Sequence, residues 1–444
     1  MNLIVKGAAW LGLYIVLILF PLLVAAVVPG SAAARPFSLQ FSVACGYVGL
    51  AIMVFEFALI SRVKAASGAF GQDALLQFHR GMGLIALALV LLHPILIFAN
   101  GYPLAWANPF AAATPWSIRW GIVALAMVLV LSAVSLFRGR LHIAYEWWQV
   151  SHMHFALIIL FASLAHIFMV GSFSATRPMH ILWTLYALIF LGLVFNFKLL
   201  KPLLMLKHPW EVVRNTANPG ESHTLELRPV DHEGIRFQPG QFAWIMTGAS
   251  PFHVDQHPIS FSSCAYDLPG QLVAFTVKSL GNWSSSVVPA LQPGQRLWLD
   301  GPYGVFSPDR EQGPGYVLIG GGVGITPLHS MCLTLAERED VRPVFLFYCN
   351  RDAESLTFRQ HFDELQSRMN IHVIYVLEHP PEGETGCECG FISADILSRY
   401  LPKQYKRFQY FVCGPPAMMD AVEDILPTLG VPSELIHTER FDMV

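Results

Sequence analysis

The chain has 444 residues, of which 54% are hydrophobic and only 13% charged, with a net charge of −3. Soluble domains carry about 25% charged residues, so part of this chain belongs in lipid, and its length allows two or three domains. The slightly acidic balance argues against nucleic acid, which calls for a basic face.

Residues 1–207 contain six long apolar runs, at roughly 8–29, 39–61, 76–99, 117–137, 147–171 and 179–200. Each approaches the ~20 residues that cross a bilayer as a helix. The first run follows Lys6 and precedes Ser31-Ala32-Ala33-Ala34, as a secretory signal would. Its apolar stretch exceeds the roughly 7–15 residues of such a signal, so it is read as a span. Orientation follows lysine and arginine. With an inside start, Lys6, Arg62, Lys64, Arg138, Arg140, Lys198, Lys201 and Lys207 lie inside, and Arg35, Arg119 and Arg177 outside. Both termini are therefore expected in the cytoplasm.

The third run contains His79 and His93, the fifth His152 and His166, and both spacings are fourteen. Fourteen residues return a helix to within ~40° of the same face, about 21 Å further along. Both runs cross in the same direction, so His79 pairs in depth with His152 near the inner surface, and His93 with His166 near the outer. Histidines inside spans are costly and usually functional. Each pair suits a metal held from both sides, and imidazole is a normal axial ligand of haem. The four histidines are thus expected to hold two b-type haems. Interhelical polar contacts are the plainer alternative. His154 is twelve residues from His166, which turns it ~120° away, and His142 and His180 sit at loop edges. Arg80, Arg138, Arg140 and Arg119 are candidate propionate partners, although positive-inside topology accounts for them equally well. Glu56 is a carboxylate within the second run.

After Lys207 short strand-like runs appear, such as Gln271–Lys278 and Arg296–Asp300, surrounded by turn dipeptides. The expected domains are 1–207, 208–312 and 313–444. In order come Phe237-Gln238-Pro239-Gly240-Gln241-Phe242, then His257-Pro258-Ile259-Ser260, then Val277-Lys278-Ser279-Leu280-Gly281-Asn282-Trp283-Ser284. Ser260 offers a hydroxyl, and His257 and Lys278 offer positive or donor groups suited to a pyrophosphate. Then Tyr316-Val317-Leu318-Ile319-Gly320-Gly321-Gly322-Val323-Gly324-Ile325-Thr326-Pro327 runs from an apolar strand through glycines into a helix. Glycines admit phosphate to the backbone, and a helix N-terminus attracts its charge. Pro343–Tyr348, His372–Leu377 and Gln409–Val412 read as strands and Thr357–Met369 as a helix. The seven cysteines (Cys45, Cys264, Cys332, Cys349, Cys387, Cys389, Cys413) give no disulfide framework. Nor do they show the C-x4-C-x2-C spacing of a plant-type iron–sulfur cluster. Cys387 and Cys389 form a C-x-C pair in what reads as a polar loop.

Together these stretches resemble the FAD barrel and nucleotide domain of the ferredoxin–NADP reductase superfamily. His257-Pro258-Ile259-Ser260 is similar to the H-P-x-[ST] form of NADPH oxidases and ferric reductases, and Gly281–Ser284 to their G-D-W-T. Cys413-Gly414-Pro415 resembles the C-G-P motif that lines the nicotinamide pocket. The resemblance implies that Ser260 lies near flavin N5, that Cys413 lies near the hydride path, and that Phe441 covers the isoalloxazine. Three residues follow Phe441 where relatives have none. Arg351, in Asn350-Arg351-Asp352, falls where oxidase relatives bind a 2′-phosphate. This favours NADPH, with Asp352 leaving NADH open. The implied flavin and nucleotide contacts are His257, Pro258, Ile259, Ser260, Val277, Lys278, Gly281, Trp283, Ser284, Gly320, Gly322, Gly324, Thr326, Pro327, Arg351, Cys413, Gly414, Pro415 and Phe441.

As a whole, the chain resembles a prokaryotic member of the ferric reductase and NADPH oxidase superfamily. The resemblance implies a six-helix transmembrane bundle, an FAD-binding β-barrel and an α/β nucleotide-binding domain in a bacterial inner membrane. The implied activity moves electrons from cytoplasmic NAD(P)H through FAD and two haems to oxygen or a ferric chelate outside. A quinone or a periplasmic protein is an alternative acceptor. A cytosolic flavin reductase on a non-redox anchor is an alternative function. No EF-hand loop precedes the spans, so calcium gating is not expected.

Overall fold

The computed structural model describes residues 3–27, 36–62, 68, 70–171, 173–265, 270–381 and 386–441. Arg35, Lys64, the Ser31–Ala34 stretch and the three residues after Phe441 lie outside the described residues. The chain forms two compact units that meet in sequence at Lys201 and Pro202.

The first unit is all helix: α1 (Leu3–Val27), α2 (Phe37–Ile60), α3 (Gln72–Ala99), α4 (Trp116–Phe137), α5 (Tyr145–Val170) and α6 (Arg177–Phe195). The last continues through a π-helical turn (Asn196–Leu200) into α7 (Lys201–Met205). Among the described residues, six helical spans are long and apolar enough to cross a membrane, as expected. In hydrocarbon a helix satisfies its backbone groups internally, which is why such runs fold this way. Leu11, Ile15 and Leu19 on α1 and Ile181, Leu185 and Leu188 on α6 point outward from the bundle. The core gathers Tyr47, Ile52, Phe55, Trp183, Tyr186 and Phe190. α2 packs along α3, and α4 along α5, so the bundle contains two helical hairpins.

The second unit opens with an antiparallel sheet of β1 (Trp210–Asn218), β2 (Ser222–Pro229), β3 (Phe242–Met246), β4 (His257–Ser260), β5 (Val273–Lys278) and β6 (Arg296–Tyr303). Their order is β4-β3-β6-β1-β2-β5. A bridge between Phe261 and Phe275 joins the two ends, and the Ser262 N–H donates to the Ala274 carbonyl at 2.8 Å. The sheet thereby closes into a barrel, which removes its open edges. Its interior holds Val212, Leu225, Leu227, Ala243, Ile245, Phe275 and Val277.

A parallel sheet follows: β7 (Tyr316–Gly321), β8 (Val344–Asn350), β9 (Ile371–Leu377), β10 (Cys387–Cys389), β11 (Gln409–Cys413) and β12 (Ile436–Thr438), ordered β10-β9-β8-β7-β11-β12. Helices α8 (Ile325–Glu337), α9 (Arg359–Leu365), α10 (Ala394–Tyr400) and α11 (Pro416–Thr428) join the strands. Two expectations change here. Cys387 and Cys389 are not in a loop but form a short edge strand paired with Tyr375–Leu377. The helix expected over Thr357–Met369 contracts to α9. Phe358 adopts a left-handed φ of 65°, which a helix does not tolerate, and its ring stacks on His329 at 3.9 Å.

Candidate functional site

In the membrane unit the structure brings the four histidines together as two pairs. The His79 and His152 rings have centroids 6.2 Å apart, and so do those of His93 and His166. A metal–imidazole bond is about 2 Å, and with ring radii of about 1 Å, two imidazoles clasping one metal have centroids about 6 Å apart. Each pair therefore has the width of a shared metal.

The other ring nitrogens are committed to neighbouring helices. His93 Nδ1 lies 2.9 Å from the Ser42 carbonyl, and His166 Nδ1 lies 2.8 Å from the Ser117 carbonyl. A carbonyl only accepts, so each Nδ1 carries the hydrogen, and Nε2 keeps the lone pair a metal needs. His152 Nδ1 meets Ser135 Oγ at 3.2 Å. His79 Nδ1 contacts the Glu56 carboxylate directly, whose other oxygen accepts from Tyr14 at 3.2 Å. Partners of this kind orient ligating histidines.

Two glycines make room for the rings. A β-carbon on Gly121 would fall 2.9 Å from His166 Nδ1, and one on Gly46 would fall 3.2 Å from His93 Nδ1. Among the described residues, no three His, Cys, Asp or Glu side chains gather as a metal site. Two imidazoles are too few for a bare ion but suit a metal whose other positions a macrocycle fills.

The remaining candidates lie elsewhere. His154 is exposed and its Nδ1 bonds its own helix at Val150. His180 packs on Phe168. Arg119 donates to the loop carbonyls of Thr114 and Ala111, at 3.1 Å each. Arg138 lies over Trp148, which itself rests against His152. Arg80 and Arg140 are exposed.

In the barrel, register divides the His257–Ser260 stretch between two faces. Ser260 stands opposite Phe242 and Pro258 opposite Trp244, whereas Ile259 pairs with Ala243 of the interior. Paired residues share a face, so Ser260, Phe242 and Trp244 lie on the outer one. Phe441 returns to that same face, meeting Phe242 edge-on at 5.8 Å. Ser260 is 3% exposed, and its hydroxyl has no hydrogen-bond partner among the described residues. His257 stacks on Trp283 at 3.9 Å, and Trp283 donates to Thr247. Ser284 Oγ accepts from the Gly281 N–H at 2.9 Å, so these two hold their own turn together. Val277 packs inside the barrel.

In the parallel sheet, chain order reverses between β7 and β11, the place where such sheets bind ligands at their carboxyl ends. Gly320 stands opposite Cys413 there. A β-carbon on Gly324 would come 2.4 Å from the Cys413 carbonyl oxygen, and one on Gly414 would come 3.0 Å from Gly321 N. These glycines let two loops lie backbone to backbone. Gly322 differs: its φ is +52°, and among the described residues an added carbon would meet Lys278 Nζ alone, at 4.0 Å. Gly322, Lys278 and Thr326 line one cleft with Ser222, Thr276 and Thr357. Its hydroxyls, ammonium group and helix start suit a phosphate-bearing ligand.

Cys413 is buried, and burial pushes its thiol well above the ordinary value, with Glu439 adding to the effect. It is therefore a neutral thiol. Pro415 is exposed at the start of α11, and Pro327 is buried in the first turn of α8. Arg351 follows β8, where its Nε donates to Asp352 at 3.0 Å.

Sequence reading missed Ser42, Gly46, Ser117, Gly121 and Ser135, along with Ser222, Thr276, Thr357 and Glu439. One signal was available. Ser42-x3-Gly46 and Ser117-x3-Gly121 repeat, with the serines 51 and 49 residues ahead of the histidines they support.

Residues 45–163 match the family Ferric reductase like transmembrane component, and residues 318–424 match the Oxidoreductase NAD-binding domain. The reductase component of propane 2-monooxygenase from Rhodococcus jostii (strain RHA1) is 28% identical over 228 residues, 49% of this chain and 59% of that protein. The flavohemoprotein of Bacillus subtilis (strain 168) is 26% identical over 240 residues, 52% of this chain and 59% of that protein. The chain thus spans 59% of the length of each of these curated relatives. The FAD/NAD-binding domain of nitric oxide dioxygenase from Vibrio cholerae O1 biovar El Tor aligns at 24% identity with a TM-score of 0.46, covering 53% of this chain and 98% of that one. With a ferric reductase-like transmembrane component ahead of an NAD-binding oxidoreductase domain on one polypeptide, the chain matches the arrangement of the ferric reductase and NADPH oxidase-like superfamily.

Proposed function

We propose that this protein moves electrons from cytoplasmic NAD(P)H, through FAD and two b-type haems, to an acceptor at the outer face of a bacterial inner membrane. The observation that carries this reading is the double pair His79/His152 and His93/His166, each as wide as a shared metal. When bound, the flavin turns a two-electron hydride into single electrons, and the haems relay them one at a time.

The chain's own residues supply positions. The histidine Nε2 atoms hold the metals, while Ser42, Ser117, Ser135 and Glu56 fix the rings. Residues 1–207 serve as the haem-bearing part, 208–312 as the flavin part and 313–444 as the nucleotide part. Ser260 would offer its hydroxyl to the bound flavin, and Phe441, on the same barrel face, would cover it. Cys413, a neutral thiol, borders the hydride path without competing as a base. Lys278, Gly322 and Thr326 receive pyrophosphate, and Arg351 meets a 2′-phosphate, which favours NADPH. With His93 and His166 both committed to holding the outer metal, an acceptor would be met at the edge of that site. Oxygen, giving superoxide, and a ferric chelate both suit such an edge.

The test is an absorption spectrum of the purified protein reduced with dithionite. Two b-type haems per FAD are expected. A flavin spectrum alone would overturn the reading in favour of a flavin reductase on a membrane anchor. His166→Ala should still allow NADPH to reduce flavin while stopping delivery to an impermeant acceptor.

A further inference from the structure

The two histidine levels differ in what holds their Nδ1 atoms. At His93 and His166 the partners are neutral: the main-chain carbonyls of Ser42 and Ser117, with the Ser42 hydroxyl also 3.2 Å from His93 Nδ1. His152 meets the neutral hydroxyl of Ser135. His79 alone among the four meets a carboxylate, Glu56, which is 6% exposed in the interior of the bundle. One Glu56 oxygen accepts from Tyr14 and the other contacts His79, so three helices meet at one carboxyl group.

A carboxylate draws the Nδ1 hydrogen more strongly than a carbonyl does and makes Nε2 a better donor. A stronger donor, together with a negative charge in low dielectric, stabilises the more positive, oxidised state of a bound metal. We propose that Glu56, steadied by Tyr14, sets the reduction potential at the His79–His152 level below that at the His93–His166 level. Electrons then run downhill from the first pair to the second. The asymmetry gives the bundle a direction that matched histidine spacing alone does not. This inference rests on reading the four histidines as haem ligands.

Tyr14 makes the proposal testable by sign. Its hydroxyl competes with His79 for the charge of Glu56, so removing it strengthens the pull on His79. The experiment is a potentiometric titration of the full-length protein in detergent, followed in the haem bands, with haem counted per chain. The wild type should titrate in two one-electron steps. Glu56→Gln should raise the lower midpoint enough to change the reduced-to-oxidised ratio at least tenfold at fixed potential, about 59 mV for a one-electron couple. The upper midpoint should stay in place. Tyr14→Phe should move the same midpoint the other way, downward.

A residue that merely holds the fold would move both variants in the same direction. Two haems retained with an unmoved lower midpoint in Glu56→Gln, or shifts of one sign in both variants, would overturn the proposal. Should Glu56→Gln fail to keep its haems, Tyr14→Phe decides, and the absence of a downward shift overturns it. A wild type with no haem overturns the ligand reading itself and this inference with it, which the haem count separates from a failure of tuning alone.

Discussion

Gly324 lies so close to Cys413 that a β-carbon added to it would sit 2.4 Å from the Cys413 carbonyl oxygen. The obstacle is main chain on both sides, so neither loop can yield by turning a rotamer. Gly324→Ala should force the glycine loop away from the Cys413-Gly414 turn. The expected cost is about 1–3 kcal/mol, as for overpacking, with a rise of at least tenfold in KM for NAD(P)H. Steady-state kinetics and a thermal melt check both, and unchanged kinetics would separate this contact from nucleotide binding.

Ser260 tests whether a buried hydroxyl serves a ligand. Among the described residues it has no hydrogen-bond partner to lose, so Ser260→Ala should leave stability within about 0.5 kcal/mol. Flavin reduction by NADPH should nevertheless slow about tenfold, the ~1.4 kcal/mol of one hydrogen bond to the reacting ring. Stopped-flow absorbance reads the rate.

Gly121 and Gly46 should rank by clearance. An added carbon would lie 2.9 Å from His166 Nδ1 at the first and 3.2 Å from His93 Nδ1 at the second. Gly121→Ala should lose about half of the haem while keeping FAD, and Gly46→Ala should lose less. The haem-to-flavin ratio of each purified variant is the measurement. Equal loss of both cofactors would indicate unfolding instead.

Arg351 is largely exposed and tied only to Asp352 among the ion pairs described. Arg351→Ala should lower kcat/KM for NADPH about tenfold, the scale of one charge-assisted bond to phosphate. NADH turnover should stay within about twofold. Equal losses with both nucleotides would remove Arg351 from 2′-phosphate recognition.

His329 gives the second unit a pH dependence. Burial lowers its value to about 3, with its Nδ1 bonded to the Ser262 carbonyl at 2.9 Å. His437 is likewise lowered by burial, to about 4. Unfolded histidine titrates near 6.5, so between about 6.5 and 3 the unfolded chain binds more protons than the folded one. Stability from these groups is therefore full above about pH 6.5 and declines as pH falls through that window. Melts of the full-length protein by tryptophan fluorescence should drop from pH 7 to 4. His329→Asn should flatten that slope while lowering stability at neutral pH.

The membrane half was legible because its signals are linear. Hydropathy gives the spans, and a spacing of fourteen puts two histidines on one face of each helix, whatever their neighbours are. The supports of those histidines were not legible singly, since a serine carbonyl has no side-chain signature. Only the repeated Ser-x3-Gly betrays them. In the barrel the motif residues were found but not their faces. Ser260 and Ile259 are adjacent in sequence, and only the pairing with Phe242 and Ala243 says which of them looks outward. The hydroxyl cleft joins Ser222, Thr276, Gly322 and Thr357 from four separate segments, so no local pattern could announce it. Cys387 and Cys389 lack the run of apolar residues that marks a strand, and their edge strand exists because β9 offers it a partner.

The two histidine levels also differ in what mutation can reach. His93 and His166 lean first on oxygen atoms of the polypeptide backbone, which every amino acid possesses, so a codon change at Ser42 removes only the added hydroxyl contact and one at Ser117 leaves the carbonyl in place. His79 and His152 lean on the side chains of Glu56 and Ser135, which a single base change can replace. Natural variation among homologues should therefore accumulate around the His79–His152 level, leaving one end of the ladder adjustable and the other hereditary.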